Sequence, residues 1–124
     1  VEDQEGVLAV LEKTLHGAGF DVVTASSGDE AFSIFQVDPH FDLVATDIVM
    51  PGKLQGPHLA KQIREILPNT RFIFLSGYAS EATVHGNGLR PEDIRLMKPV
   101  SRADLLNAVR KVLSDVGDPR ADHI

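Results

Sequence analysis

The chain has 124 residues, about one ordinary domain, with 43% hydrophobic and 24% charged residues, which excludes a disordered tail, a collagen-like repeat or a coiled coil. Twelve Lys+Arg against eighteen Asp+Glu give a net charge of −6, so no basic footprint for nucleic acid or an anionic membrane is present. The absence of cysteine removes disulfides, thiolate zinc sites and cysteine nucleophiles. Residues 4–18 place Val7, Leu8, Leu11 and Leu15 on one helix face, and Gly17 and Gly19 suit its C-terminal cap. A short β-rich run at 21–25 follows. Ser26-Ser27-Gly28-Asp29-Glu30 reads as a helix start, Ala31, Phe32, Ile34 and Phe35 continue it, and Pro39 stops it. The nearly continuous apolar run at 41–46 suggests a strand buried on both faces.

The second half repeats the alternation. Residues 50–56 form a loop, and 57–67 form a helix with Leu59, Ile63, Ile66 and Leu67 on one side. Pro68-Asn69 turns the chain into a second buried strand at 71–75. A short helix is expected at 80–84, broken by Gly86-Asn87-Gly88, and Pro91 opens another loop. A short strand at 94–97 and an amphipathic helix at 101–114, through Leu105, Leu106, Val109 and Leu113, close the pattern. Residues 115–124 read as a polar tail. Such βα alternation predicts an α/β fold with a mainly parallel sheet, helices on both faces and right-handed crossovers. In that architecture functional residues gather at the carboxyl ends of the strands.

Five residues satisfy the strand-end rule. Glu2 and Asp3 precede the first helix, Asp47 follows the strand at 41–46, Ser76 follows 71–75, and Lys98 follows 94–97. Each has a bland alternative: paired acids cap a helix, a lone Asp caps the next element, Ser-Gly makes a turn, and Lys-Pro sits on a surface. All four alternatives would have to hold at four strand ends at once. The five histidines (16, 40, 58, 85 and 123) lack metal spacing and read as surface or core residues. No thiol, Ser-His-Asp order or glycine-rich phosphate loop accompanies the cluster.

Four segments carry a family resemblance: Val1-Glu2-Asp3, Thr46-Asp47-Ile48-Val49-Met50-Pro51-Gly52, Leu75-Ser76-Gly77-Tyr78-Ala79 and Met97-Lys98-Pro99. Together, and in this order, they resemble the receiver domain of two-component response regulators over residues 1–115, leaving 116–124 as a tail. The resemblance implies a doubly wound, flavodoxin-like fold, with five parallel strands in the order 2-1-3-4-5. It also implies a phosphorelay function in which Asp47 accepts a phosphoryl group from phosphohistidine. Asp3 would ligate Mg²⁺ beside Asp47 and the backbone carbonyl of Val49, and Glu2 would ligate it through water. Ser76 would hydrogen-bond a phosphoryl oxygen, and Lys98 would pair with the phosphoryl group. Such a domain catalyses its own aspartyl phosphorylation without being a stand-alone turnover enzyme. The implied partner is a histidine kinase or histidine phosphotransfer domain, with a homodimer as a further option.

Charge arithmetic supports the assignment independently. Glu2, Asp3 and Asp47 contribute −3, and three close carboxylates raise one another's pKa unless countered. A divalent ion and Lys98 supply +3. Mg²⁺ prefers one or two carboxylates with waters and phosphate oxygens, and a cationic clamp is what phosphoryl transfer requires.

Three features depart from the family pattern. Only Val1 precedes the acidic pair, so the first strand is largely missing, as if the chain begins mid-strand. Arg95 stands where receivers often carry an aromatic reporter of phosphorylation, and it is expected at the surface. The loop at 50–56 is one residue longer than in many receivers, which resembles receiver modules of hybrid sensor histidine kinases. The tight turn at Lys98-Pro99 suits a cis bond, as receivers of this kind commonly have.

Three other functions compete. A pseudo-receiver would bind partners without phosphorylation, against which the complete acid–Ser–Lys set argues. An aspartyl-nucleophile phosphatase or mutase typically places a second Asp two residues on, where this chain has Val49. A flavodoxin-like carrier would want a phosphate loop where Glu2-Asp3-Gln4-Glu5 stands. No run approaches the ~20 apolar residues of a membrane span, and the first residues do not read as a signal peptide. The expected setting is the cytoplasm, without membrane contact by this domain.

Overall fold

Apolar runs bounded by turn residues become the strands of a computed structural model that describes residues 1–50, 54–77 and 93–114. In chain order the elements are α1 (Glu5–Gly17), α2 (Gly28–Val37), β1 (Leu43–Asp47), α3 (Gly56–Ile66), β2 (Arg71–Ser76), β3 (Ile94–Met97) and α4 (Arg102–Ser114). The three strands are parallel in the order β1-β2-β3, with Asp47 opposite Leu75 and Ser76 opposite Met97. The helix expected at 80–84 and the tail at 116–124 lie outside the described residues.

The sheet order expected from the sequence is retained, although only three of its five strands form ladders among the described residues. On the free edge of β1, the Val1 nitrogen donates to the Ala45 carbonyl at 2.6 Å and the Asp47 N–H to the Val1 carbonyl at 3.1 Å. Beyond it, the Glu2 N–H donates to the Ala25 carbonyl at 3.1 Å. The segments at 1–3 and 21–25 thus occupy the first two strand positions in the expected spatial order. Neither is a full strand. The 21–25 run has only an isolated bridge at Asp21 among the described residues.

Side-chain alternation along β2 builds two apolar layers. Phe72 and Phe74 face α2 and α3, where they pack with Phe35, Leu59, Ala60 and Ile63. Their rings stack at 5.6 Å between centroids. Ile73 and Leu75 point the other way, together with Leu43, onto Leu15 of α1 and Leu105, Val109 and Leu113 of α4. A strand covered on both faces has to read as a continuous apolar run, which is why Phe72-Ile73-Phe74-Leu75 does.

The helix ends follow local chemistry. The Ser27 hydroxyl accepts from the Glu30 N–H at 3.1 Å, capping α2, and Glu30 in turn accepts from Ser26 at 2.9 Å. Pro57 occupies the first turn of α3, where its missing N–H is harmless. After α1 the chain turns at Gly19 with φ +98°, a conformation that disfavours any side chain, and its N–H returns to the His16 carbonyl. The Lys98-Pro99 bond is cis, as expected. His16, His40 and His58 are exposed, in keeping with a surface reading.

Candidate functional site

Parallel strands bring their carboxyl ends to one edge, and the expected residues meet there. Asp47 ends β1, Ser76 ends β2, and Lys98 follows β3, with its N–H donating to the Ser76 carbonyl at 2.7 Å. Because Glu2 lies between β1 and Ala25, its side chain reaches the same edge. The Lys98 Nζ sits 2.7 Å from Glu2 Oε2 and 2.8 Å from Asp47 Oδ1, bridging the two acids. Glu2, Asp47 and Ser76 are buried, whereas Asp3 is exposed.

Burial sets the electrostatics. Desolvation and the Glu2 carboxylate push Asp47 from its ordinary 3.8 up to about 7, against the pull of Lys98. Burial also opposes ionisation of Glu2, but its contacts with Asp47 and Lys98 and the Gln4 N–H (3.1 Å) hold it below the usual carboxylate range. For Lys98 burial favours the neutral amine, yet the two carboxylates outweigh it and raise its pKa. The pocket is therefore short of positive charge.

Glu2, Asp3 and Asp47 each offer a carboxylate oxygen, and these oxygens lie within 4.8 Å of one another. With Lys98 contributing one positive charge, three ionised acids leave −2, which matches a divalent cation. An all-oxygen donor set with one exposed member, open to water, suits a hard ion such as Mg²⁺. Val49 lies two residues past Asp47 in the loop that leaves β1, and it is half-exposed.

Sequence reading missed two supports of this edge. The Gln55 side chain clamps Met50: its Nε2 donates to the Met50 carbonyl and its Oε1 accepts from the Met50 N–H, both at 2.6 Å. This side chain makes no cap to α3, and Gln is a poor N-cap, which is the only signal the sequence offers for such a role. Gly56 is the other support. A Cβ there would lie 2.1 Å from the Asp47 carbonyl oxygen, so the start of α3 approaches the acid's backbone as only glycine permits. Arg95 projects from β3 and is exposed, as expected from its permanent charge.

Comparison with known proteins points one way. A family model described as the response regulator receiver domain matches residues 1–110. The sensor kinase CckA of Brucella abortus (strain 2308) is 35% identical over 117 residues, covering 91% of this chain but 12% of the kinase. The response regulator receiver protein CpdR of the same organism is 34% identical over 113 residues, covering 90% of this chain and 92% of that protein. A crystal structure of a response regulator receiver protein from Sinorhizobium medicae WSM419 superposes with a TM-score of 0.82 at 36% identity, covering 91% of this chain and 90% of that one.

Proposed function

The chain belongs to the response regulator receiver domain family, and from that membership we propose that Asp47 accepts a phosphoryl group from the phosphohistidine of a kinase or phosphotransfer domain. An Asp47 carboxylate oxygen attacks phosphorus, the P–N bond to the donor imidazole breaks, and an acyl phosphate forms on Asp47. Asp3, Asp47, the Val49 carbonyl and, through water, Glu2 would hold Mg²⁺. Bound there, the ion supplies positive charge that keeps Asp47 ionised and offsets charge on the phosphoryl oxygens.

Lys98 already contacts Asp47, so a rotation of its flexible stem moves the ammonium from carboxylate to phosphoryl oxygen. The Ser76 hydroxyl, on the neighbouring strand end, donates to another of those oxygens. In this reading residues 1–115 act as one domain in the cytoplasm, and phosphorylation changes which partner the strand-end surface binds.

A buried aspartate at a strand end, bridged to a second buried acid by one lysine, is the observation that carries the proposal. Mass spectrometry after incubation with acetyl phosphate and Mg²⁺ tests it. We expect an acyl phosphate on Asp47 that disappears in Asp47→Asn. Equal labelling of the variant would overturn the assignment, and no labelling of the parent chain would make it a phosphorylation-independent module.

A further inference from the structure

The opposite end of the sheet, where β2 and β3 begin, carries a second polar site. Arg71 opens β2 and Ser76 closes it, so this end lies roughly 16 Å from the carboxylate cluster at the usual strand rise. A pocket of about 260 Å³ opens there between the turn after α3, the start of β3 and α4. Among the described residues its charged lining is Arg64, Arg71, Lys111 and Asp93.

One of these cations is already engaged. The Arg64 guanidinium donates through both terminal nitrogens to the two Asp93 oxygens and through Nε to the Thr70 carbonyl at 3.4 Å. Its face lies 4.7 Å from the Phe72 ring centre. With Arg64 and Asp93 cancelling, Arg71 and Lys111 leave the described lining at +2 in a chain of net charge −6. The Arg71 Nε is buried and has no hydrogen-bond acceptor among the described residues. A buried donor without an acceptor is unfavourable, and native structures rarely leave one. The Nε edge of a guanidinium presents two parallel N–H groups, spaced to take two oxygens of one anion.

We propose that this pocket binds a small dianion, phosphate or a dicarboxylate, on the Nε edge of Arg71, which a turn of the long side chain brings from its buried position to the pocket, with Lys111 adding attraction at the mouth. The site owes nothing to Asp47, and the experiment keeps the two apart. The Asp47→Asn chain, with a chelator present, is titrated separately with inorganic phosphate and with succinate at an ionic strength fixed by sodium chloride. Nitrogen–proton spectra follow the Arg71 Nε–H and the amides of Thr70, Phe72 and Ile94.

A saturable shift of the Arg71 Nε–H is expected with at least one of the two, and which one saturates identifies the anion. Arg71→Lys keeps the charge but loses the paired donors, and should weaken binding about tenfold or more. Lys111 is exposed on α4, so Lys111→Gln leaves the fold intact and should weaken it about two- to fivefold. Drifts that never saturate with either anion, or affinities unchanged in both variants, would overturn the proposal.

Discussion

Glu2 and Asp3 are adjacent in sequence, yet the fold gives them different environments. Glu2 is buried with one oxygen on Lys98 and the other on the Gln4 N–H, whereas Asp3 faces solvent. An acid already committed to two protein partners has little left for an ion. Removing Asp3 should therefore weaken Mg²⁺ about 10- to 100-fold, and Glu2→Gln by clearly less. A metal titration giving equal losses would contradict that ranking. The acids were legible in sequence because each follows an apolar run, and parallel strands deliver such positions to one edge. The Arg64–Asp93 pair was not, because its partners are 29 residues apart and belong to no periodic pattern. Arg64 reads as an ordinary polar residue of a helix until the start of β3 is placed beside it.

Element boundaries followed the punctuation closely. The predicted helices at 4–18 and 57–67 correspond to α1 and α3, and the strands at 71–75 and 94–97 to β2 and β3. The run at 21–25 keeps its expected place, with the Ala25 carbonyl accepting from the Glu2 N–H, but among the described residues it has only an isolated bridge at Asp21. What sequence pattern could not supply was how α3 leans on β1. Gly56 donates its N–H to the Ile48 carbonyl at 2.9 Å, and its missing Cβ makes room for the Asp47 carbonyl. Gly56→Ala should cost about 2–4 kcal/mol in urea unfolding, since the clash is with backbone and cannot relax by a rotamer change. Gln55→Ala is a different disturbance. It frees the Met50 N–H and carbonyl, costing about 1–3 kcal/mol, and loosens the loop that leads from Asp47 through Val49. Acetyl phosphate labelling should then slow several-fold, while a variant at the exposed Lys61 labels at the parent rate. Parent-like labelling of Gln55→Ala would show that the clamp does not position the loop.

At the scale of the whole molecule, the carboxylate cluster links site chemistry to folding stability. Asp47 sits above two apolar layers that bury it, so ionising it costs the folded chain more than the unfolded one. Its folded value is about 7 against an ordinary 3.8. Below the lower value both states hold the proton and the difference vanishes. Between the two the folded chain holds more protons, so stability falls as pH rises, and above about 7 the loss is complete. Glu2 runs the other way: held below its usual range, it adds stability that is present above its ordinary 4.5 and lost as pH falls. The two effects occupy different windows, and of these two acids it is Asp47 that titrates between pH 5 and pH 8. Metal-free Asp47→Asn removes the ionisable group and should gain on the parent across that interval. The advantage is at most about 4 kcal/mol at pH 8, reduced by the lost contact with Lys98, and it shrinks towards pH 5. Millimolar Mg²⁺ should stabilise the parent at pH 8 by binding the folded chain alone and leave the variant nearly unmoved. Melting curves of both chains at pH 5 and pH 8, with chelator and with Mg²⁺, measure all of this. Parallel pH dependences of parent and variant without metal would mean that Asp47 ionises in the folded chain as readily as in water.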